Sequence, residues 1–152
     1  MTSRGGRGYT RGMETVVREF AIRDYEAAYA LWSNSEGIGL SEADSRPNIA
    51  AYLARNPGSS FVAEADGRLV GAVLCGSDGR RGFLHHLAVA PIARRAGIGK
   101  ALVEECLAAL GRQGLRKCHI FVIAANEEGK KFWTRIGWEE RRTLVVMSHD
   151  VP

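Results

Sequence analysis

Cysteine is scarce in this chain. Cys75, Cys106 and Cys118 are odd in number, far apart and set in apolar surroundings, which excludes a disulfide framework and reads as reduced core thiols. No apolar run approaches the ~18 residues that a membrane helix needs. The leading MTSRGGRGYTRGM is positive with no apolar stretch behind it, so the expected location is cytoplasmic. A basic surplus is nearly absent as well. The formal net charge is +4, and Arg4, Arg7 and Arg11 supply three of those charges. That argues against a nucleic-acid partner and marks residues 1–12, with their four glycines, as a flexible tail. Met13 is a plausible second start, and residues 13–152 are expected to form one domain, since 45% hydrophobic content in 152 residues is enough for a core.

What is present alternates between strand and helix signals. TVVREFA reads as a strand, and Asp24 is placed to cap a helix through YEAAYALW. A polar loop, SNSEGIGLSEADS, leads to Pro47 in the first turn of a second helix. Asp66-Gly67 separates two β-type runs as a hairpin turn, and SDGRRG turns into FLHHLAV, giving a three-stranded meander. A helix from Ile98 to about Leu110 then shows Leu102, Val103, Cys106, Leu107 and Leu110 on one stripe. KCHIFVIA has the composition of a strand buried on both faces. Asn126 opens a further helix ended at Gly137, and TLVVMS is expected as a final strand. The order predicts an α+β fold with a mixed, mostly antiparallel sheet and helices on both faces.

The informative junction is APIARRAGIGKAL, where a strand passes through glycines into a helix. A nucleotide P-loop needs a hydroxyl after Gly99-Lys100, and the residue there is Ala101. A dinucleotide fold needs a third glycine where Leu102 stands, inside a βαβ unit. The remaining role is a turn whose backbone N–H groups, with the helix dipole, cradle a pyrophosphate while Arg94 and Arg95 add charge. Softer ligands (His85, His86, His119, Cys75, Cys118) sit on neighbouring strands. Adjacent residues there point to opposite faces, so no metal is expected.

Arg94-x-x-Gly97-x-Gly99 after Leu87-Ala88-Val89, and Asn126 followed by Phe132-Trp133-x-x-x-Gly137-Trp138, resemble the two signatures of the GCN5-related N-acetyltransferases (GNAT). CGSDGRRGFLHHLAVAP is further similar to a bacterial, YpeA-like branch. The resemblance implies a sheet with a splayed parallel strand pair, acetyl-CoA as co-substrate and transfer to a primary amine of a small molecule or peptide. A homodimer is compatible with it. It implies CoA contacts from Leu87, Ala88, Val89, Arg94, Arg95, Ala96, Gly97, Ile98, Gly99, Lys100, Asn126 and Trp133, with the Leu87 N–H toward the thioester carbonyl.

By strand parity His85 shares a face with Leu87, and by resemblance it holds the position of a base; its ordinary pKa near ~6.5 suits that task. Glu36 is the next candidate, and Asp44 in the same loop a further one for holding a cationic substrate. Trp133 stands where many relatives carry a general-acid tyrosine, and its indole N–H is too weak an acid for that role. A non-catalytic acyl-CoA sensor of the same fold is the competing expectation.

Overall fold

The computed structural model describes residues 14–152; the tail expected at residues 1–12 and the start at Met13 lie outside them. Strand β1 is Thr15–Glu19, followed by helix α1 (Tyr25–Ser33), helix α2 (Arg46–Arg55) and strands β2 (Phe61–Ala65), β3 (Arg68–Ser77) and β4 (Gly82–Val89). Helix α3 (Ile98–Arg112), strand β5 (Cys118–Ile120) and helix α4 (Glu127–Arg135) complete the chain. The strands lie in chain order, antiparallel from β1 to β4 and parallel between β4 and β5.

Local chemistry explains the joints. Asp66 and Gly67 both take positive φ, 51° and 76°, the twist that two-residue hairpins require. Ser45 caps α2 by accepting from the Asn48 N–H, with Pro47 in its first turn. Asp24 departs from expectation. Its carboxylate does not cap α1. It accepts the Ala21 N–H at 2.9 Å and a two-pronged bond from Arg18 at 2.7 and 2.8 Å. Burial opposes its charge, yet those donors outweigh burial and hold the carboxyl below its usual range.

Two layers flank the sheet. On one face Trp32, fully buried, stacks on Phe20 at 5.9 Å beside Ala28, Ile49, Val62, Ala72, Leu74 and Ala88. On the other, α3 lies so close that a Cβ on Gly71 would come within 3.0 Å of the Leu102 side chain, and one on Gly82 within 3.1 Å of Leu110 Cγ. These glycines allow the helix to seat. Two details of α3 are corrected. It runs through Gly111 to Arg112, because one glycine inside a packed helix weakens it without ending it. Leu107, expected on the buried stripe, is 40% exposed; Ala109 takes the buried place.

Val122–Pro152 forms a second compact unit. The Asn126 side chain accepts the Gly129 N–H at 3.0 Å and caps α4, and Gly137 beyond its end has φ 98°. The strand expected at TLVVMS is absent. Leu144 to Met147 are exposed and unpaired among the described residues, since β-type composition supplies a preference and not a hydrogen-bonding partner. KCHIFVIA is likewise only in part a strand, three half-buried residues. No helix among the described residues is long and apolar enough to cross a membrane.

Candidate active site

The strand pair β4 and β5 opens after three residues. Gly82, Phe83 and Leu84 face Cys118, His119 and Ile120, and from His85 onward β4 has no strand partner on that side among the described residues. Which backbone groups this exposes follows from alternation. The Gly82 N–H donates to Lys117 O, toward β5, whereas the Ala90 N–H donates to Val70 O, toward β3. Counting back from Ala90 directs the N–H groups of Leu87 and Val89 into the opening. The Val89 carbonyl is engaged by Arg94, whose Nε donates to it at 3.1 Å. Arg94 thereby ties the strand end to the turn.

The turn itself has two left-handed residues, Arg95 at φ 64° and Gly97 at φ 77°. Gly97 is the N-cap of α3 and has no side chain with which to cap it, and among the described residues no side chain accepts from the first N–H groups of the helix. No acid lies in this first turn. Ala96 and Ile98 point into the core, so their share in any anion site is confined to the backbone. Arg95 and Lys100 are exposed, Lys100 within 3.9 Å of Glu104. Oriented N–H donors at a helix start with three cations nearby are an arrangement that can hold an anion.

Strand parity is where the structure overturns the expectation. Leu74 lies opposite His85 and Ala72 opposite Ala88, so His86 and Leu87 together oppose one residue, Val73. This is a β-bulge, and His86 takes its left-handed position at φ 56°. Alternation breaks there, and both histidines turn to the face of α1 and α2. The His86 ring lies 5.2 Å from Trp32 and the His85 ring 6.3 Å from Tyr52, with 6.4 Å between the two imidazoles. Only one histidine was expected on that side.

Their surroundings differ. His85 packs among rings, with Phe121 at 6.2 Å and Phe83 in turn 6.3 Å from Phe121. Burial, then the neighbouring His86, lowers its pKa below 6.5, against a weaker opposite pull from Asp44. His85 is therefore a neutral imidazole at neutral pH, able to accept a proton. His86 Nε2 is hydrogen-bonded to Asp44 Oδ1 at 2.8 Å. Asp44 is thus already committed to a protein partner and is not a free acid for a substrate. Glu36 is exposed on the turn after α1 and forms no ion pair among the described residues. The Asp44–His86 pairing, across 42 residues and at a bulge, has no signal in the sequence.

Asn126 and Trp133 belong to the second unit. The Asn126 carbonyl oxygen is used as the α4 cap. Trp133 is buried against Phe132 at 5.2 Å and Trp138 at 4.8 Å, which accounts for it as packing. Cys75 and Cys106 are buried free thiols and Cys118 is half-buried, with burial raising its pKa to about 12; none is poised as a nucleophile.

Comparison with known proteins gives the family and the fold. Residues 19–138 match the profile of the "Acetyltransferase (GNAT) family". An acetyltransferase of Pectobacterium atrosepticum is 31% identical over 123 residues, covering 81% of this chain and 86% of the relative. Among solved structures, the PaiA N-acetyltransferase of Thermoplasma acidophilum in complex with coenzyme A superposes with a TM-score of 0.73 at 21% identity, over 83% of this chain and 90% of that one. The structure of AAC(6′)-Iy with the bisubstrate analogue CoA-S-monomethyl-acetylneamine gives 0.72 at 20% identity, over 91% and 99%. The family match, which spans most of the chain, and the open strand pair beside a glycine turn lead to one conclusion: this chain belongs to the GNAT acetyltransferase family.

Proposed function

We propose that the protein is an acetyl-CoA-dependent N-acetyltransferase acting on a primary amine by direct attack. Acetyl-CoA supplies an activated acyl group: the amine nitrogen bonds to the thioester carbon, the C–S bond breaks, and the thiolate leaves and is protonated by solvent. The residues of this chain do the rest. The helix start at Gly97, Ile98, Gly99 and Lys100 holds the pyrophosphate, with Arg94 and Arg95 beside it. Leu87, Ala88 and Val89 offer the free edge of β4 to the pantetheine arm, and the Leu87 N–H polarises the thioester oxygen. His85, neutral in its aromatic surroundings, removes the ammonium proton that would otherwise block attack.

The observation that carries this reading is the coincidence of three features in one region: a strand edge without a partner, an anion cradle at its end, and a neutral imidazole on the same strand. The loop of residues 33–45 bears Glu36 and Glu42 without a basic residue, which suits a cationic amine, small or peptidic, as acceptor. Two structural neighbours are aminoglycoside acetyltransferases, one of them bound to the bisubstrate analogue CoA-S-monomethyl-acetylneamine, which supports an amine of that kind. Trp133 supplies no general acid, and a thiolate of pKa near ~8.5 needs little help to leave. A cytoplasmic location accords with three free thiols. The test is an acceptor screen with acetyl-CoA that follows free thiol and confirms the acetylated amine by mass. Coenzyme A binding without turnover on any amine would favour the sensor instead.

A further inference from the structure

His86 is an unusual occupant of its position. A left-handed residue with a Cβ is strained, and such strain persists where surrounding contacts over-determine it. Those contacts can be named. Trp32 packs against the imidazole from α1, and Asp44 accepts from its Nε2 at 2.8 Å, the two side chains being only 17% and 8% exposed. A carboxylate partner makes Nε2 the protonated nitrogen. Asp44 is in turn fixed from three directions. Its Oδ2 accepts the Ser41 N–H at 3.0 Å, its own N–H donates to Ser41 O at 3.0 Å, and its carbonyl accepts the Tyr25 hydroxyl at 2.6 Å.

These bonds join parts that are distant in the chain. Ser41 to Asp44 end the loop between α1 and α2, and His86 is the bulge residue immediately before Leu87. We infer that Asp44 is a positioning residue: through His86 it latches the loop of residues 34–45 to the bulge of β4, fixing the direction of the Leu87 N–H and the acceptor-side loop as one body. The inference rests on the proposed acetyl transfer. Asp44 touches neither donor nor acceptor. It acts by holding the strand in a conformation that the strand alone would not keep. The anion cradle at Gly97 lies outside the latch and is unaffected by it.

The latch separates kcat from donor binding. In D44A, kcat falls about a hundredfold, the lower end of the ~10²–10³ range typical of a lost oxyanion donor, while acetyl-CoA affinity by calorimetry stays within about threefold. D44N keeps a bond at both ends, its oxygen accepting from Ser41 and its amide donating to Nε2 in the other tautomer, and it retains kcat within about fivefold. H86G relieves the left-handed strain, removes the latch and loses kcat as D44A does. The double variant D44A/H86G loses no more than either alone. Additive losses, a D44A kcat within threefold of the parent, or a parallel fall in acetyl-CoA affinity would overturn the latch.

If the unmodified chain acetylates no amine, the proposed activity fails by itself. The latch is then decided by hydrogen exchange. In H86G, which leaves the Ser41–Asp44 bonds intact, amides of residues 34–45 should exchange roughly tenfold faster. Unchanged exchange there would refute it.

Discussion

Replacing Gly97 separates two roles that a glycine at a phosphate turn can have. Its φ of 77° and ψ of 8° lie in the left-handed region, where a Cβ costs about 1–2 kcal/mol. For a chain of this length each kcal/mol lowers Tm by about 2–4 °C, so Gly97→Ala should lower it by about 2–8 °C through backbone strain alone. Asn tolerates this conformation, and Gly97→Asn should keep most of the stability. Coenzyme A affinity should behave differently, since either side chain intrudes on the anion and lengthens its bonds to the N–H groups of Ile98 and Gly99. Loss of one charge-assisted bond, about 1.5–3 kcal/mol, weakens binding by about 10- to 150-fold. The assay is calorimetric titration of coenzyme A beside a thermal melt. A Gly97→Asn protein with near-parental Tm and unchanged affinity would refute the cradle.

Four further outcomes follow from geometry. Because burial holds the His85 pKa below 6.5, the acid limb of kcat/KM should have its midpoint below that of free imidazole and vanish in His85→Ala; a limb that persists unchanged removes His85 as the base. The same shift has a sign for stability. The unfolded chain binds the His85 proton more readily, so stability rises with pH between the lowered folded value and 6.5, and denaturant midpoints of His85→Gln should lose that slope. Gly82→Ala brings a methyl within 3.1 Å of Leu110 Cγ and should cost about 1–3 kcal/mol, partly regained with Leu110→Val; an unchanged melt would contradict the packing. Trp133→Phe keeps an aromatic against Trp138 and should lower kcat less than tenfold, whereas a hundredfold loss, about 2.7 kcal/mol, with intact coenzyme A affinity would give the indole N–H a direct part in transfer.

Local chemistry made much of this legible from residues alone. Asp66-Gly67 set a turn, Pro47 and Asn126 opened helices, and the glycines at 97 and 99 marked the strand-to-helix junction, because each acts within a few residues of itself. What escaped depends on partners. Nothing in FLHHLAV announces a bulge: histidine is an uncommon left-handed residue, and its conformation is held by Asp44, 42 residues away. A one-residue slip in alternation then brought both histidines to one face. TLVVMS failed for a related reason, since a run of β-type apolar residues expresses a preference that only a neighbouring strand can satisfy. Leu107 shows the limit of helical periodicity, which gives the angle of a stripe but not the edge of the surface it meets.

The brevity of β5 has a dynamic consequence. Its ladder to β4 closes across α3 with three register pairs, against the longer antiparallel ladders that bind β2, β3 and β4 to one another. Local opening free energy follows the structure that must be given up, so β5 should be among the first parts of the sheet to exchange and the meander among the last. The opening between the two strands is therefore rigid on one bank and compliant on the other. Displacement of β5 can widen the opening without disturbing the bulge at His86.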